Sequence, residues 1–317
     1  MPKELGYADG LGCSIEGGAL DVPSVSIGCV THDDVKTGVT LILFPPGSCG
    51  AVDVAGGAPA TRETEVLRPE NLVPGPDAVL LTGGSAYGLR AADGAMQVLA
   101  QAGRGVSVGA VRVPIVPAAA IFDLGVGAAV APSAEDGATA ARFALEGSCA
   151  LPEGRFGAGC GATVGKALGA EHAMHGGQGA VTLVAPDGLR VGAVAVVNAL
   201  GSVVAKDGTV LAGPLGAGGA ALRTTPLLAI GEASPGQPGE ATTIACVATN
   251  ARLQKSELQR VARMAHDGLG QAVEPAHTLF DGDTIFCISC GDLPADPSRV
   301  GALAAAAVAE AIRRAVL

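Results

Sequence analysis

Thr242 opens a short apolar run, TTIACVATN, directly behind the loose stretch GQPGEA. A threonine hydroxyl is a weak nucleophile unless a base lies beside it, and a Thr at a chain N-terminus carries one in its own α-amine. Creating that terminus inside a chain requires the bond between Ala241 and Thr242 to be cut. A flexible segment ending at Ala241 would let the upstream end leave while Thr242 stays fixed on its strand. Taken alone, Thr242 and Thr243 also read as ordinary strand-opening residues.

Other side chains could serve such a nucleophile. In FDGDTIF, Asp281 and Asp283 flank one glycine just before an apolar strand, which in isolation reads first as a polar turn with solvated carboxylates. Lys166 ends the glycine loop GAGCGATVGK. That loop misses the phosphate-binding pattern twice, with Cys160 where the first glycine belongs and Ala167 after the lysine. Asn198 sits inside the apolar run AVAVVNALG and needs a hydrogen-bond partner whatever its purpose. GGSAYG approaches a serine nucleophile elbow around Ser85, but Tyr87 stands where its second glycine belongs. The five histidines, at 32, 172, 175, 266 and 277, have no spacing that suggests a triad, and surface or packing roles are expected. His172 and His175 could ligate a metal only with Glu171 as the one obvious third ligand. Cys287-x-x-Cys290 lacks the second pair a zinc ribbon needs. No metal or cofactor is expected.

The elements that must position these groups are strand hairpins interleaved with Ala-rich helices. Residues 25–44 read as a hairpin turning at His32-Asp33-Asp34, and DAVLLTGGSAYGL as a strand, a glycine turn and then a helix to about Ala102. Ala134 to Leu145 reads as a helix, and 179–201 as two strands joined at Pro186-Asp187-Gly188. Residues 207–241 lose periodicity and gain Gly, Pro and Ser, so an exposed, flexible linker is expected there. Beyond it come the Thr242 strand, an amphipathic helix from Lys255 to Gly270, the DTIFCIS strand and a closing helix. This order suggests sheets covered by helices rather than a regular βαβ series.

Composition narrows the function. The 317 residues permit one large domain or two; 49% are hydrophobic and 16% charged, with 48 Gly, no Trp and 3% aromatics, which suits closely stacked sheets. A net charge of -10 without any basic run argues against nucleic acid. No run reaches the roughly 18 apolar residues of a membrane helix. The opening MPKELGYADG has no apolar segment behind a basic cluster, so a cytoplasmic location is expected. The eight cysteines mostly lie in apolar surroundings and are expected to be small buried hydrophobes.

GGAPATRET (56–64), LLTGGSAYGL (80–89), the loop ending in Lys166, AVVNALG (195–201), TTIACVATNARL (242–253), MAHDGLGQAVEPAHT (264–278) and FDGDTIF (280–286) follow one another as in the DmpA-type aminopeptidases. The chain resembles that family, which includes β-peptidyl aminopeptidases and nylon-oligomer hydrolases, over nearly its whole length. The resemblance implies a single α/β (α+β) domain, a four-layer αββα sandwich of N-terminal-nucleophile type. It implies a precursor that cuts itself into residues 1–241 and 242–317, and a homotetramer. It makes Thr242 the nucleophile and its freed amine the base. Asn198 and Tyr87 match positions on the oxyanion or substrate side, and Lys166, Asp281 and Asp283 match the charged group of the nylon-hydrolase branch. The substrate expected is a short peptide, a β-peptide or an amide oligomer. Ala241 departs from that branch, which has Asn before the nucleophile. Two other readings stay open: an acyltransferase of the ornithine acetyltransferase type, whose cut falls at an Ala-Thr bond, and an inactive structural homologue.

Overall fold

A computed structural model describes residues 6–7, 12–233 and 239–317. Among these, seven strands form one sheet in the order Gly6–Tyr7, Ser14–Gly17, Gly177–Val184, Arg190–Asn198, Thr242–Ala251, Thr284–Leu293 and Cys49–Val54. Five form a second: Ser26–His32, Thr37–Leu43, Ala78–Thr82, Ala118–Ala120 and Thr61–Arg62. Four long helices cover them: α1 (Ala91–Gln101), α2 (Ala134–Leu145), α3 (Lys255–Ala272) and α4 (Pro297–Arg314).

Strands such as Thr37–Leu43 and Gly177–Val184 are buried almost end to end, because both faces of each sheet are covered. One face of each sheet meets the other sheet through Ile42, Phe44, Val79, Leu81, Val194, Val196, Ile244 and Phe286. The outer face of the larger sheet packs on α3 and α4 through Val247, Ile285, Leu258, Leu269, Val308 and Ile312. The outer face of the smaller one packs on α1 and α2 through Leu41, Leu80, Ala95, Leu99 and Ala141. The order is helix, sheet, sheet, helix, as expected. Small residues make this closeness possible. A Cβ on Gly137 would lie 1.7 Å from the carbonyl oxygen of Ala91, so α1 and α2 touch backbone to backbone.

The hairpin at the chain's start pairs Ser26 with Leu43 and His32 with Thr37, and Gly177–Val184 pairs antiparallel with Arg190–Asn198, both as expected. The stretch read as a linker carries more structure than that. Val210–Ala212 pairs with Ser202–Val204, and Thr224–Ala229 forms a helical turn with Thr224 buried. Residues 234–238 of that stretch lie outside the described residues. No described helix is long and apolar enough to cross a membrane.

Candidate active site

Two pairings of one strand gather the candidate residues. Thr242–Ala251 runs antiparallel to Arg190–Asn198, which sets Asn198, the last residue of its strand, opposite Thr242, the first of the next. The same strand runs parallel to Thr284–Leu293, with Ile244 opposite Thr284, so the residues just before Thr284 also reach Thr242. An Asn, a Thr and an Asp-Gly-Asp turn far apart in sequence thus meet at one end of the sheet. All four polar side chains are buried: Asn198 is 0% exposed, Asp283 1%, and Thr242 and Asp281 2% each.

Ala241 continues toward this turn. Its carbonyl oxygen accepts from the backbone N–H of Gly282 at 3.0 Å and from the Thr242 hydroxyl. Gly239 N donates to the Phe280 carbonyl at 3.1 Å, and Ala241 bridges to Asp281 in parallel. The Ala241–Thr242 peptide is therefore clamped, with its carbonyl on a backbone donor and a hydroxyl at the same oxygen. Space beside Gly282 is tight: a Cβ there would lie 2.8 Å from the Thr242 hydroxyl oxygen and 3.0 Å from the Ala58 carbonyl, so a larger residue would push on the hydroxyl.

Asp283 accepts from Thr243 N at 2.7 Å on one oxygen, and on the other from His277 N at 2.9 Å, with His277 Nδ1 2.8 Å away. Asp281 accepts from the backbone and hydroxyl of Thr278, at 3.0 and 2.5 Å. Burial, with the charge of Asp283 adding to it, raises the Asp281 carboxyl from 3.8 to about 6. Ala55 and the GGAPAT segment that follows it brace this turn from outside, Ala55 N donating to the Asp283 carbonyl and Ala58 N to that of Asp281.

Asn198 is fully engaged. Its side-chain oxygen accepts from Thr163 N at 2.9 Å and from the Lys166 amine at 3.0 Å, while its NH2 donates to the Phe122 and Glu240 carbonyls, both at 3.1 Å. The glycine loop delivers Lys166, whose amine also donates to the carbonyls of Thr163 and Asn198 at 3.0 and 2.6 Å. Burial lowers the Lys166 amine from 10.5 to about 7, against the opposing charges of Asp281 and Glu240.

Tyr87 lies farther out, 71% exposed on the one-turn helix Ser85–Gly88. That turn is held by Asp123, which accepts from Gly84 N at 2.7 Å and from the Thr37 hydroxyl at 2.8 Å. Because Phe122 accepts from Asn198, the GGSAYG turn and the Thr242 end of the sheet share one support. Ser85 has a left-handed backbone with φ 52°, the strained turn its sequence resemblance to an elbow suggests.

Sequence reasoning missed Gly282, His277 and Asp123. Gly282 carried a signal, as the single residue between the two acids of FDGDTIF. The expectation of surface or packing roles for all five histidines fails for His277, which sits on the buried Asp283.

The family model described as peptidase family S58 matches residues 19–317. The chain is 43% identical over 274 residues to the uncharacterized aminopeptidase ML1167 of Mycobacterium leprae, covering 81% of this chain and 72% of that protein. It is 34% identical over 289 residues to the 6-aminohexanoate-oligomer endohydrolase of Paenarthrobacter ureafaciens, covering 88% and 77%. Among solved structures, a Burkholderia sp. beta-aminopeptidase superposes with a TM-score of 0.67 at 20% identity, over 99% of this chain and 87% of that one, and so shares the fold.

Proposed function

We propose, from the premise that the chain belongs to peptidase family S58 and is a hydrolase of amide bonds, that it is a self-cleaving N-terminal-threonine enzyme acting on short peptides, β-peptides or linear amide oligomers. The observation that carries this reading is the clamped Ala241–Thr242 bond, whose carbonyl oxygen takes the Gly282 N–H while the Thr242 hydroxyl lies against it.

In the uncut chain, rotation of the hydroxyl brings Oγ onto the Ala241 carbonyl carbon. The oxyanion that forms stays on the Gly282 N–H, where a backbone donor strengthens its bond as charge develops. Collapse breaks the C–N bond, puts the proton given up by the hydroxyl on the departing nitrogen and leaves Ala241 as an ester on Oγ. Water then splits that ester, giving an Ala241 carboxylate and a free Thr242 amine. That amine is the base for hydrolysis. It takes the proton of its own hydroxyl, Oγ attacks the substrate carbonyl, and the same proton passes to the leaving amine. Water, giving a proton to the Thr242 amine, then splits the acyl ester on Oγ, and that proton returns to Oγ as the acid product leaves. Asn198 supplies the oxyanion donor in this second reaction, with Lys166 on its side-chain oxygen. Nucleophile, base and oxyanion donors all come from the chain, so the scheme needs neither a metal nor a cofactor. Tyr87 borders the substrate side. The resemblance supports a homotetramer.

Intact mass under denaturing conditions tests the reading, alongside a panel of aminoacyl nitroanilides, β-peptides and 6-aminohexanoate oligomers. Two fragments meeting between Ala241 and Thr242, with turnover of at least one class, is the expected result. A single uncut chain that hydrolyses amides would overturn it.

A further inference from the structure

We propose that His277 is a positioning residue of the hydrolytic reaction: its ring N–H holds Asp283, whose other oxygen holds the backbone just after the nucleophile, and the charge of this pair sets the low-pH limb of activity. The proposal rests on the reading of Thr242 as a nucleophile with a freed amine.

Three contacts fix the pair. His277 Nδ1 lies 2.8 Å from Oδ2 of Asp283, the backbone N–H of His277 donates to the same oxygen at 2.9 Å, and Oδ1 takes Thr243 N at 2.7 Å. A carboxylate has no proton to give, so Nδ1 carries the hydrogen. The double grip on Oδ2 depends on the left-handed backbone of His277, φ 57°, which turns both its N–H groups toward one oxygen. Asp283 is 1% exposed and cannot exchange this partner for water.

A second ring stands behind the first. His266 of α3 meets His277 edge to face, with ring centroids 4.7 Å apart and planes at 75°. His266 Nε2 lies 3.2 Å from the Asp53 carbonyl, and its buried Nδ1 has no partner, an arrangement that suits a neutral ring. The titratable groups facing His277 are thus Asp283 and Asp281 on its own loop and His266 from α3; Asp53 of the strand Cys49–Val54, which carries Arg263, stands behind them on His266. Burial opposes charge on His277, but the hydrogen bond and charge of Asp283, with Asp281 behind it, outweigh burial and raise its pKa above 6.5. His266 is lowered by burial and by the charge of His277. Of the two rings, His277 takes the proton.

The consequence falls on the Thr242 amine, which works only when neutral. An uncompensated Asp283 beside the start of its strand favours the ammonium form; a protonated His277 cancels that pull. Removing the ring's charge while keeping a donor therefore moves the acid limb to higher pH.

His277→Asn is the test, because Asn tolerates a left-handed backbone and offers an amide N–H without charge. The expected result is a chain that still cuts itself, with KM little changed and the acid limb of kcat displaced upward by about half a unit or more. His277→Ala, lacking a donor, should lose further activity that Asn restores. A profile superimposable on that of the wild type in His277→Asn would overturn the proposal. Should that variant not fold, imidazole NMR titration of the uncut Thr242→Ala chain decides: a His277 pKa above 6.5 that falls in Asp283→Asn supports the pair, and one indifferent to Asp283 overturns it. A wild type that neither cuts nor hydrolyses would instead sink the functional reading.

Discussion

The side-chain amide of Asn198 donates to the carbonyl of Glu240, two residues before Thr242, at 3.1 Å. The donor proposed for the substrate oxyanion is thus occupied by the precursor's own chain, whereas the Ala241 carbonyl is served by Gly282 N–H. Two reactions at one hydroxyl then use two different donors. Asn198→Ala is expected to lower kcat for amide hydrolysis by roughly a hundredfold or more. It should slow self-cleavage far less, once the loss of folded protein is allowed for. Because four neighbours lose partners, stability should also fall by about 1–3 kcal/mol. Cleavage time courses by gel, set beside kcat of the cut fraction, separate the two effects. Equal loss in both reactions would contradict the division.

Gly282→Ala places a methyl carbon where only 2.8 Å separates it from the Thr242 hydroxyl oxygen and 3.2 Å from Pro59 Cα. The hydroxyl is a rotor and can turn away, so the fold should survive at a cost of about 1–3 kcal/mol. The displaced hydroxyl no longer addresses the Ala241 carbonyl, and self-cleavage should slow by about a hundredfold. Circular dichroism with a cleavage time course checks this; a folded variant that cuts at the normal rate would show that the glycine matters only for packing.

Why the sequence disclosed some of this and not the rest follows from where the information lies. The strands 190–198 and 242–251 are long apolar runs whose burial decides their state, and α2 begins at Ser133 with Asp136 three residues on, a local capping signal. The elements inside 207–241 are different. Val210–Ala212 and Thr224–Ala229 are too short to have a period; the first is held by pairing with Val203 and Val204, the second by Ser202, whose hydroxyl meets the Leu222 carbonyl and the Thr224 hydroxyl, both at 2.9 Å. At the site, Thr242, Asn198, Lys166, Asp281 and Asp283 each stand out as a polar side chain in an apolar or glycine-rich setting, but that setting alone also fits a turn or a strand end, and only the resemblance groups them. Gly282 acts through a backbone N–H, which residue type does not advertise. His277 depends on a left-handed turn that brings its ring and backbone to one oxygen. Tyr87 matched a motif, yet its exposure leaves its part to a bound substrate.

Asp281 should cost the folded chain stability in return for its place at the site. Burial and the neighbouring Asp283 raise its pKa from 3.8 to about 6. Between those values the folded state holds a proton that the unfolded state releases, so this group's contribution to stability falls as pH rises from about 4 to 6 and stays low above that. Asp281→Asn keeps an oxygen for Thr278 and removes the charge. At pH 7.5 it should stabilise the chain by on the order of 2 kcal/mol, and at pH 4 it should have little effect. Denaturant unfolding in a Thr242→Ala background, where every chain stays uncut, measures both. A gain that is the same at pH 4 and 7.5 would assign the effect to packing instead of charge.

Lys166 acts on the reaction through Asn198. Its amine spends its three hydrogens on Thr163 O, Asn198 O and Asn198 Oδ1, at 3.0, 2.6 and 3.0 Å. In its protonated form, below its folded pKa of about 7, the ammonium on the amide oxygen draws electron density from the amide nitrogen and makes its N–H a stronger donor, since hydrogen bonds in a chain polarise one another. Lys166→Met fills similar space without that donor, so kcat should fall by roughly ten- to a hundredfold with KM little affected. Stability carries an independent signature. With a folded pKa lowered to about 7 from 10.5, the unfolded chain holds a proton the folded one has shed, and wild-type stability should rise with pH between about 7 and 10. Lys166→Met should lose that component of the slope. Unfolding midpoints at pH 7, 8.5 and 10, compared in the uncut Thr242→Ala background, test it; parallel curves for the two chains would mean that Lys166 keeps its proton throughout and works as a fixed ammonium.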